Sequence, residues 1–153
     1  MTSILLRDIT ITDLPIIFEH QLDPEGSVMA AVPSRDRETF DAHWKKIMAN
    51  EANILMTIEV DGHATGHLVS FELMGERQVG YWLGREFLGK GIATEALKQF
   101  LGVVKTRPLF GRVAKHNIGS RRVLEKCGFT VIGEDSYLNS AKEKVEEFVL
   151  KLD

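Results

Sequence analysis

The stretch Leu83-Gly84-Arg85-Glu86-Phe87-Leu88-Gly89-Lys90-Gly91-Ile92-Ala93-Thr94-Glu95-Ala96 constrains this chain most. The apolar run Val79–Leu83 predicts a strand leading into it, and a helical pattern leads out. Between them Gly89-Lys90-Gly91 forms a turn that side chains do not obstruct. Glycine reaches dihedrals closed to other residues and lets the backbone come close to a ligand. The following helix start offers unpaired N–H groups and the positive end of its dipole. Together these make an anion site, most often for phosphate. The plainer alternative is a tight strand-to-helix turn with no ligand.

The remaining composition narrows the setting. A chain of 153 residues suits one domain, 1–153, with a sizeable core. Its net charge of -3 does not favour non-specific nucleic-acid binding. One cysteine, Cys127, excludes an internal disulfide framework and fits a reducing compartment. Arg7 and Asp8 interrupt the apolar Ile4–Leu6 run, so neither a signal peptide nor a membrane span is expected. A soluble, cytoplasmic protein is the expectation.

In chain order, Ile4–Ile11 predicts a strand, and Thr12 or Asp13 caps a helix with Pro15 in its first turn. Asp23-Pro24-Glu25-Gly26 predicts its end. Ser27–Pro33 fits neither period and reads as a loop or short helix bordering a pocket. A second helix is predicted from Asp36 to Asn50, with Phe40, Trp44, Ile47 and Met48 on one face. Trp44 either lines an acceptor pocket or packs on a sheet. Ile54–Val60, the hairpin signal Asp61-Gly62, Ala64–Leu73, the turn Gly75-Glu76 and Gln78–Leu83 predict an antiparallel meander. Ile92–Lys105 predicts a helix and Leu109–Lys115 a strand. Asn117 then caps a helix that Gly128 ends, and strands follow at Phe129–Gly133 and Val145–Leu152.

Two nucleotide readings of the glycine turn fail. Gly84 to Lys90 fits the start of a Walker A loop, but Gly91 stands where a metal-holding hydroxyl belongs. The dinucleotide fingerprint lacks its third glycine and follows hairpins rather than opening a βαβ unit.

Nearly the whole chain resembles the GNAT superfamily of N-acetyltransferases, and most of all its ribosomal-protein N-terminal acetyltransferase-like branch. The residues that carry this are Val79-Gly80-Tyr81-Trp82-Leu83, Gly89-Lys90-Gly91-Ile92-Ala93-Thr94-Glu95-Ala96, and Asn117-x-x-Ser120 followed by Val123-Leu124-Glu125-Lys126-x-Gly128-Phe129. Their order and spacing are specific where each alone is weak. The resemblance implies an α+β GNAT fold: a mixed, mostly antiparallel central sheet splayed between two parallel strands, Gln78–Leu83 and Leu109–Lys115, with helices on both faces. Acetyl-CoA as co-substrate would lie in that splay, with no metal.

The resemblance places the pyrophosphate on the turn Leu88, Gly89, Lys90, Gly91, Ile92, Ala93 and Thr94. Lys90 adds charge there or points to solvent. The backbone of Trp82 and Leu83 would pair with the pantetheine arm like an added strand. Asn117 and Ser120 match the second cofactor block, or serve as a helix cap and a neutral first-turn residue. Arg121 and Arg122 add positive charge nearby.

The implied reaction is direct transfer of the acetyl group to a primary amine, a small molecule or a protein N-terminus, with no covalent enzyme intermediate. Many relatives carry a tyrosine acid where Leu124 stands, but in the ribosomal branch a serine at the place of Ser120 is the proposed acid, so the resemblance makes Ser120 the candidate acid, directly or through water. Some carry a glutamate where Gln78 stands. Glu72 is the candidate base in its place, with His67, His116 and Glu134 as weaker substitutes. Cys127 reads as a packing position. The departures at Gln78 and Leu124 also motivate an alternative, a catalytically weak acyl-CoA-binding module. An unusual acyl donor or an oxygen acceptor is a third reading. Ser27–Trp44 and a loop over Asp135–Glu143 would bind the acceptor, and they carry no readable motif. Homodimers are common in such families, and no residue here argues for or against one.

Overall fold

A computed structural model describes residues 3–153. Seven strands form one sheet: β1 (Ile4–Asp8), β2 (Ile54–Val60), β3 (His63–Leu73), β4 (Glu76–Leu83), β5 (Leu109–Ala114), β6 (Thr130–Leu138) and β7 (Lys144–Leu152). Their order across the sheet is β1-β2-β3-β4-β5-β7-β6. Every neighbouring pair is antiparallel except β4 and β5. Those two are parallel and meet at one bridge, Gln78 with Phe110. Beyond it they part, as the resemblance implies.

The β2–β3–β4 meander follows from its turns. Asp61 and Gly62 take φ of 50° and 86°, and Met74 and Gly75 take 48° and 79°. Both residues of each turn are left-handed, which matches the right-handed twist of the flanking strands. The second turn is therefore Met74-Gly75, and Glu76 already belongs to β4.

Helices cover both faces. On one lies α4 (Ile92–Val103), whose Ala96, Leu97 and Phe100 are buried against Ile58, Leu68, Val79 and Leu83. Truncating the fully buried Phe100 to Ala would cost about 3–5 kcal/mol. Beside it, α5 (Ile118–Lys126) starts where the Asn117 side chain accepts from the Ser120 N–H at 3.2 Å. Gly128 ends it at φ 98°. On the other face, α1 (Leu14–Gln21) and α3 (Arg37–Ala49) bury Ile17, Phe40 and Trp44. Trp44 is core: it packs on Phe40 and edge-on to His67 with ring centroids 5.2 Å apart.

Other boundaries also differ from the sequence expectation: the first strand, expected to reach Ile11, ends at Asp8, and Ile11–Asp13 form a single 3-10 turn that leads into α1. Asp23-Pro24-Glu25-Gly26 does not simply end α1; Asp23 caps a new helix, α2 (Pro24–Ala30), by accepting from the Glu25 N–H at 3.2 Å. Proline suits a first helical position because its missing N–H would be unpaired there anyway. The strand predicted to end at Gly133 runs to Leu138, so Asp135–Leu138 are strand rather than loop. The helix predicted to run to Lys105 stops at Val103. No helix among the described residues is long and apolar enough to cross a membrane.

Candidate functional site

The parting of β4 and β5 creates two connected spaces. The larger is a groove of about 510 Å³ along the C-terminal half of β4, the glycine turn and α5. The smaller is a slot of about 120 Å³ through the sheet, between Val79–Tyr81 and Arg112–Ala114. Ala30, Tyr81, Asn117 and Ser120 line both and mark where they join.

The groove is built for an anion. Gly89 and Gly91 take φ of 73° and 77°, and a Cβ at either would project into open space. Gly91 is the residue before the first turn of α4, so the N–H groups of Ile92, Ala93 and Thr94 lie in the turn that helical bonding leaves open. All three residues line the groove. Arg122 and Lys126 line it from α5. Arg85 also lines it but is held in ion pairs by Asp23, at 3.7 Å, and by Glu25. Past the single bridge at Gln78, the β4 edge facing β5 is free of ladder pairing. The Trp82–Leu83 edge thus has no strand partner beside the groove.

The residues expected to bind the cofactor converge here. Trp82, Leu83, Leu88, Gly89, Gly91, Ile92, Ala93, Thr94, Asn117 and Ser120 all line the groove. Lys90 does not line it; its side chain is exposed. Arg121 turns away to stack on the Phe148 ring at 4.6 Å and to pair with Glu125 at 3.4 Å.

The expected base does not converge. Glu72 lies opposite Arg77, four register positions along β3 from the Leu68–Tyr81 pair that borders the groove. At about 3.3 Å per residue that is ~13 Å from the groove. Its half-exposed carboxylate sits 3.8 Å from Arg77 instead. The substitutes are also committed elsewhere. Burial holds the His67 ring near pKa 3, with its Nδ1 sealed and without a partner. The His116 Nε2 bonds the Val28 carbonyl at 2.7 Å, and Glu134 pairs with Lys115.

Ser120 does reach the junction, where Leu124 is buried and offers no donor. Two features were not read from the sequence. Tyr81 points to the α4 side and lines both spaces together with Ser120, and burial pushes its phenol up in pKa, with Ser120 acting against this. Strand parity carried that signal, since Val79, Tyr81 and Leu83 alternate with Gly80 and Trp82. On the opposite side of the slot, Arg112 holds Glu147 at 3.1 Å and also Asp135. Burial first, and Asp135 second, push Glu147 up to about 7. This cluster depends on β5–β7–β6 pairing, which no local pattern reveals. Cys127, with its thiol pushed up by burial and 3.6 Å from the Thr94 carbonyl, is a packing residue.

Known proteins share this architecture. Among solved structures, spermidine N-acetyltransferase from Vibrio cholerae, in complex with CoA and spermine, superposes with a TM-score of 0.79 at 16% identity, covering 97% of this chain and 95% of that one. Aminoglycoside acetyltransferase AAC(6')-Ib in complex with coenzyme A gives 0.78 at 17% identity, covering 96% and 94%. At such identities the likeness is one of fold. In sequence, the Bacillus subtilis (strain 168) protein named "Putative ribosomal N-acetyltransferase YdaF" is 30% identical over 106 residues, 64% of this chain. The matched stretch spans 57% of that relative's length. The profile of the acetyltransferase (GNAT) domain matches residues 3–130, which takes in the meander, the glycine turn, the splayed strands and α5. With that match and the splayed sheet together, the chain belongs to the GNAT acetyltransferase family.

Proposed function

We propose that the protein transfers an acetyl group from acetyl-CoA to a primary amine by direct attack, without a covalent enzyme intermediate. One observation carries this reading: the anion-binding groove and the slot through the sheet meet at Ala30, Tyr81, Asn117 and Ser120. A donor lying in the groove and an acceptor entering from the opposite face would touch there and nowhere else.

The chain's residues supply the rest. The N–H groups at the start of α4, with Arg122 and Lys126, would hold the pyrophosphate. The free edge at Trp82 and Leu83 would pair with the pantetheine arm and orient the thioester. The amine must arrive neutral to attack. Arg112, Asp135 and Glu147 together carry one net negative charge when ionised, which draws an ammonium to the far mouth of the slot. The Ser120 hydroxyl, at the junction, would return a proton to the departing thiolate. The relatives' aminoglycoside and spermidine acceptors favour a small amine, and the ribosomal name favours a protein N-terminus. The unpaired Cys127 suits a reducing, cytoplasmic setting.

Leu124, which cannot donate, supports a second reading as an acyl-CoA-binding module that does not transfer. Release of free thiol from acetyl-CoA separates the two when measured with spermine, kanamycin and a tetrapeptide bearing a free N-terminus. Thiol release is expected with at least one. Tight acetyl-CoA binding with no release would leave the binding module. Ser120→Ala is expected to lower turnover about 100-fold while acetyl-CoA affinity changes little; unchanged turnover would remove Ser120 as the donor.

A further inference from the structure

A serine hydroxyl has a chemical difficulty as a proton donor to sulfur. It is about as weak an acid as water, far weaker than a thiol. It can give its proton to a thiolate only if its oxygen receives another at the same time. The junction of slot and groove holds four residues, Ala30, Tyr81, Asn117 and Ser120. Ala30 has no side-chain proton to give. The Asn117 amide does not release one, and its oxygen is already taken by the Ser120 N–H. That leaves Tyr81, ordinarily near about 10, which shares the junction with Ser120.

From this geometry we infer that Tyr81 and Ser120 act as one relay that carries the attacking amine's proton to the leaving sulfur. The inference rests on the transferase reading above and assigns its proton path. As the neutral amine forms its C–N bond and the C–S bond breaks, Ser120 Oγ–H passes its proton to the thiolate. The Tyr81 phenol re-protonates Ser120 Oγ. The nitrogen, now bearing an extra proton, returns it to the Tyr81 oxygen. The sum is amine plus thioester giving amide plus thiol, with both side chains as they began.

Placement supports each leg. Tyr81 lines the slot, where the nitrogen would arrive, as well as the groove, where the sulfur would lie. Ser120 stands at the third helical position of α5, held by its cap bond to Asn117. Lys126 is another proton donor on the groove wall, but it does not line the slot and cannot face the nitrogen. Burial keeps the Tyr81 proton in place at neutral pH, because the charged phenolate is the form it disfavours.

The test compares Tyr81→Phe, Ser120→Ala, Ser120→Thr and the double variant Tyr81→Phe/Ser120→Ala, using whichever of the three acceptor probes the wild type turns over fastest. Tyr81→Phe keeps the ring that packs beside the core. Its turnover is expected to fall about 100-fold, the low end for one positioned proton donor, with the acetyl-CoA dissociation constant within about twofold. Ser120→Thr, which keeps the hydroxyl, is expected to retain most of the rate. The double variant is expected to be no slower than the slower single one, because two parts of one relay cannot be lost twice. Turnover within about threefold of wild type in Tyr81→Phe overturns the relay, as do multiplying losses in the double variant. Wild-type protein that binds acetyl-CoA but releases no thiol with any probe overturns the transferase reading itself, and the relay with it.

Discussion

Gly66 lies directly beneath the backbone of Trp82. A Cβ built at Gly66 would stand 2.3 Å from the Trp82 carbonyl oxygen and 3.0 Å from the Leu83 Cα. These are backbone atoms, so no side-chain rotation relieves the clash. The two residues they belong to are also the free edge that borders the groove. Packing between β3 and β4 therefore sets where that edge runs.

Gly66→Ala is expected to destabilise the fold by about 1–3 kcal/mol, the usual range for overpacking. It should also weaken acetyl-CoA binding, because β4 can relieve the contact only by moving its free edge. Gly62→Ala is a control, since a Cβ there meets nothing within 4 Å and Gly62 is remote from the groove. It should cost stability through its φ of 86° alone and leave affinity intact. Thermal denaturation and calorimetric titration with acetyl-CoA give the two quantities. Equal affinities in wild type and Gly66→Ala would mean that the edge position is not set here.

Gly91 tests the phosphate assignment. Its φ of 77° strains any other residue, and the space above it is open. A glutamate there would fill the cradle and bring negative charge to the helix start. Gly91→Glu is expected to weaken acetyl-CoA binding by about 100-fold or more, ~2.7 kcal/mol. The fold should remain, because Gly91 is exposed and its Cβ would touch no neighbour. Affinity that survives the change would place the phosphates elsewhere.

These two glycines show what was legible in the sequence and what was not. Gly91 could be read because a strand, a glycine turn and a helix start are local events. Gly66 could not, because its constraint is a backbone atom on another strand. Glu72 misled for the same reason. It neighbours the right strand in sequence, yet antiparallel register carries it to the end away from the groove. Asp23-Pro24 misled differently: the residues that stop one helix are those that cap and start the next, and α2 has only seven residues in which to show a period. Tyr81 lies inside a recognised block, but only the junction that it shares with Ser120 points to a role for its phenol.

The Arg112–Asp135–Glu147 cluster makes a spectroscopic prediction. Glu147 is buried, and Asp135 faces it from β6 together with Tyr137, while Arg112 faces it from β5. Its pKa is pushed up to about 7, first by burial and then by Asp135, with Arg112 opposing. Asp135→Asn removes the neighbouring charge and should lower the value towards the ordinary carboxylate range, leaving the part due to burial. Carbon-detected NMR titration of labelled glutamate side chains reads this directly. A Glu147 that already titrates near about 4.3 in the wild type would contradict the burial argument.

Acid stability should depend on a second buried carboxylate, Asp13, far from the groove. The Arg7 guanidinium grips both of its oxygens, at 2.8 and 2.7 Å. The Thr10 N–H and the Thr57 hydroxyl donate to it as well, at 2.8 and 3.0 Å. The Arg7 hydrogen bonds are the largest cause of a pKa lowered to about 2, against the opposing effect of burial. A depressed folded value means that the unfolded chain binds the proton more readily. The stabilisation is thus fully present above the unfolded pKa of about 3.9 and is lost as pH falls through about 2. A shift of this size corresponds to about 2 kcal/mol, or about 4–8 °C in Tm for a chain of this length. Asp13→Asn should lose about that much at pH 7 and should lack the corresponding acid transition. Denaturant titrations between pH 7 and pH 2 measure both. An Asn variant whose stability falls between pH 4 and pH 2 as steeply as the wild type would show that the acid sensitivity comes from another carboxylate.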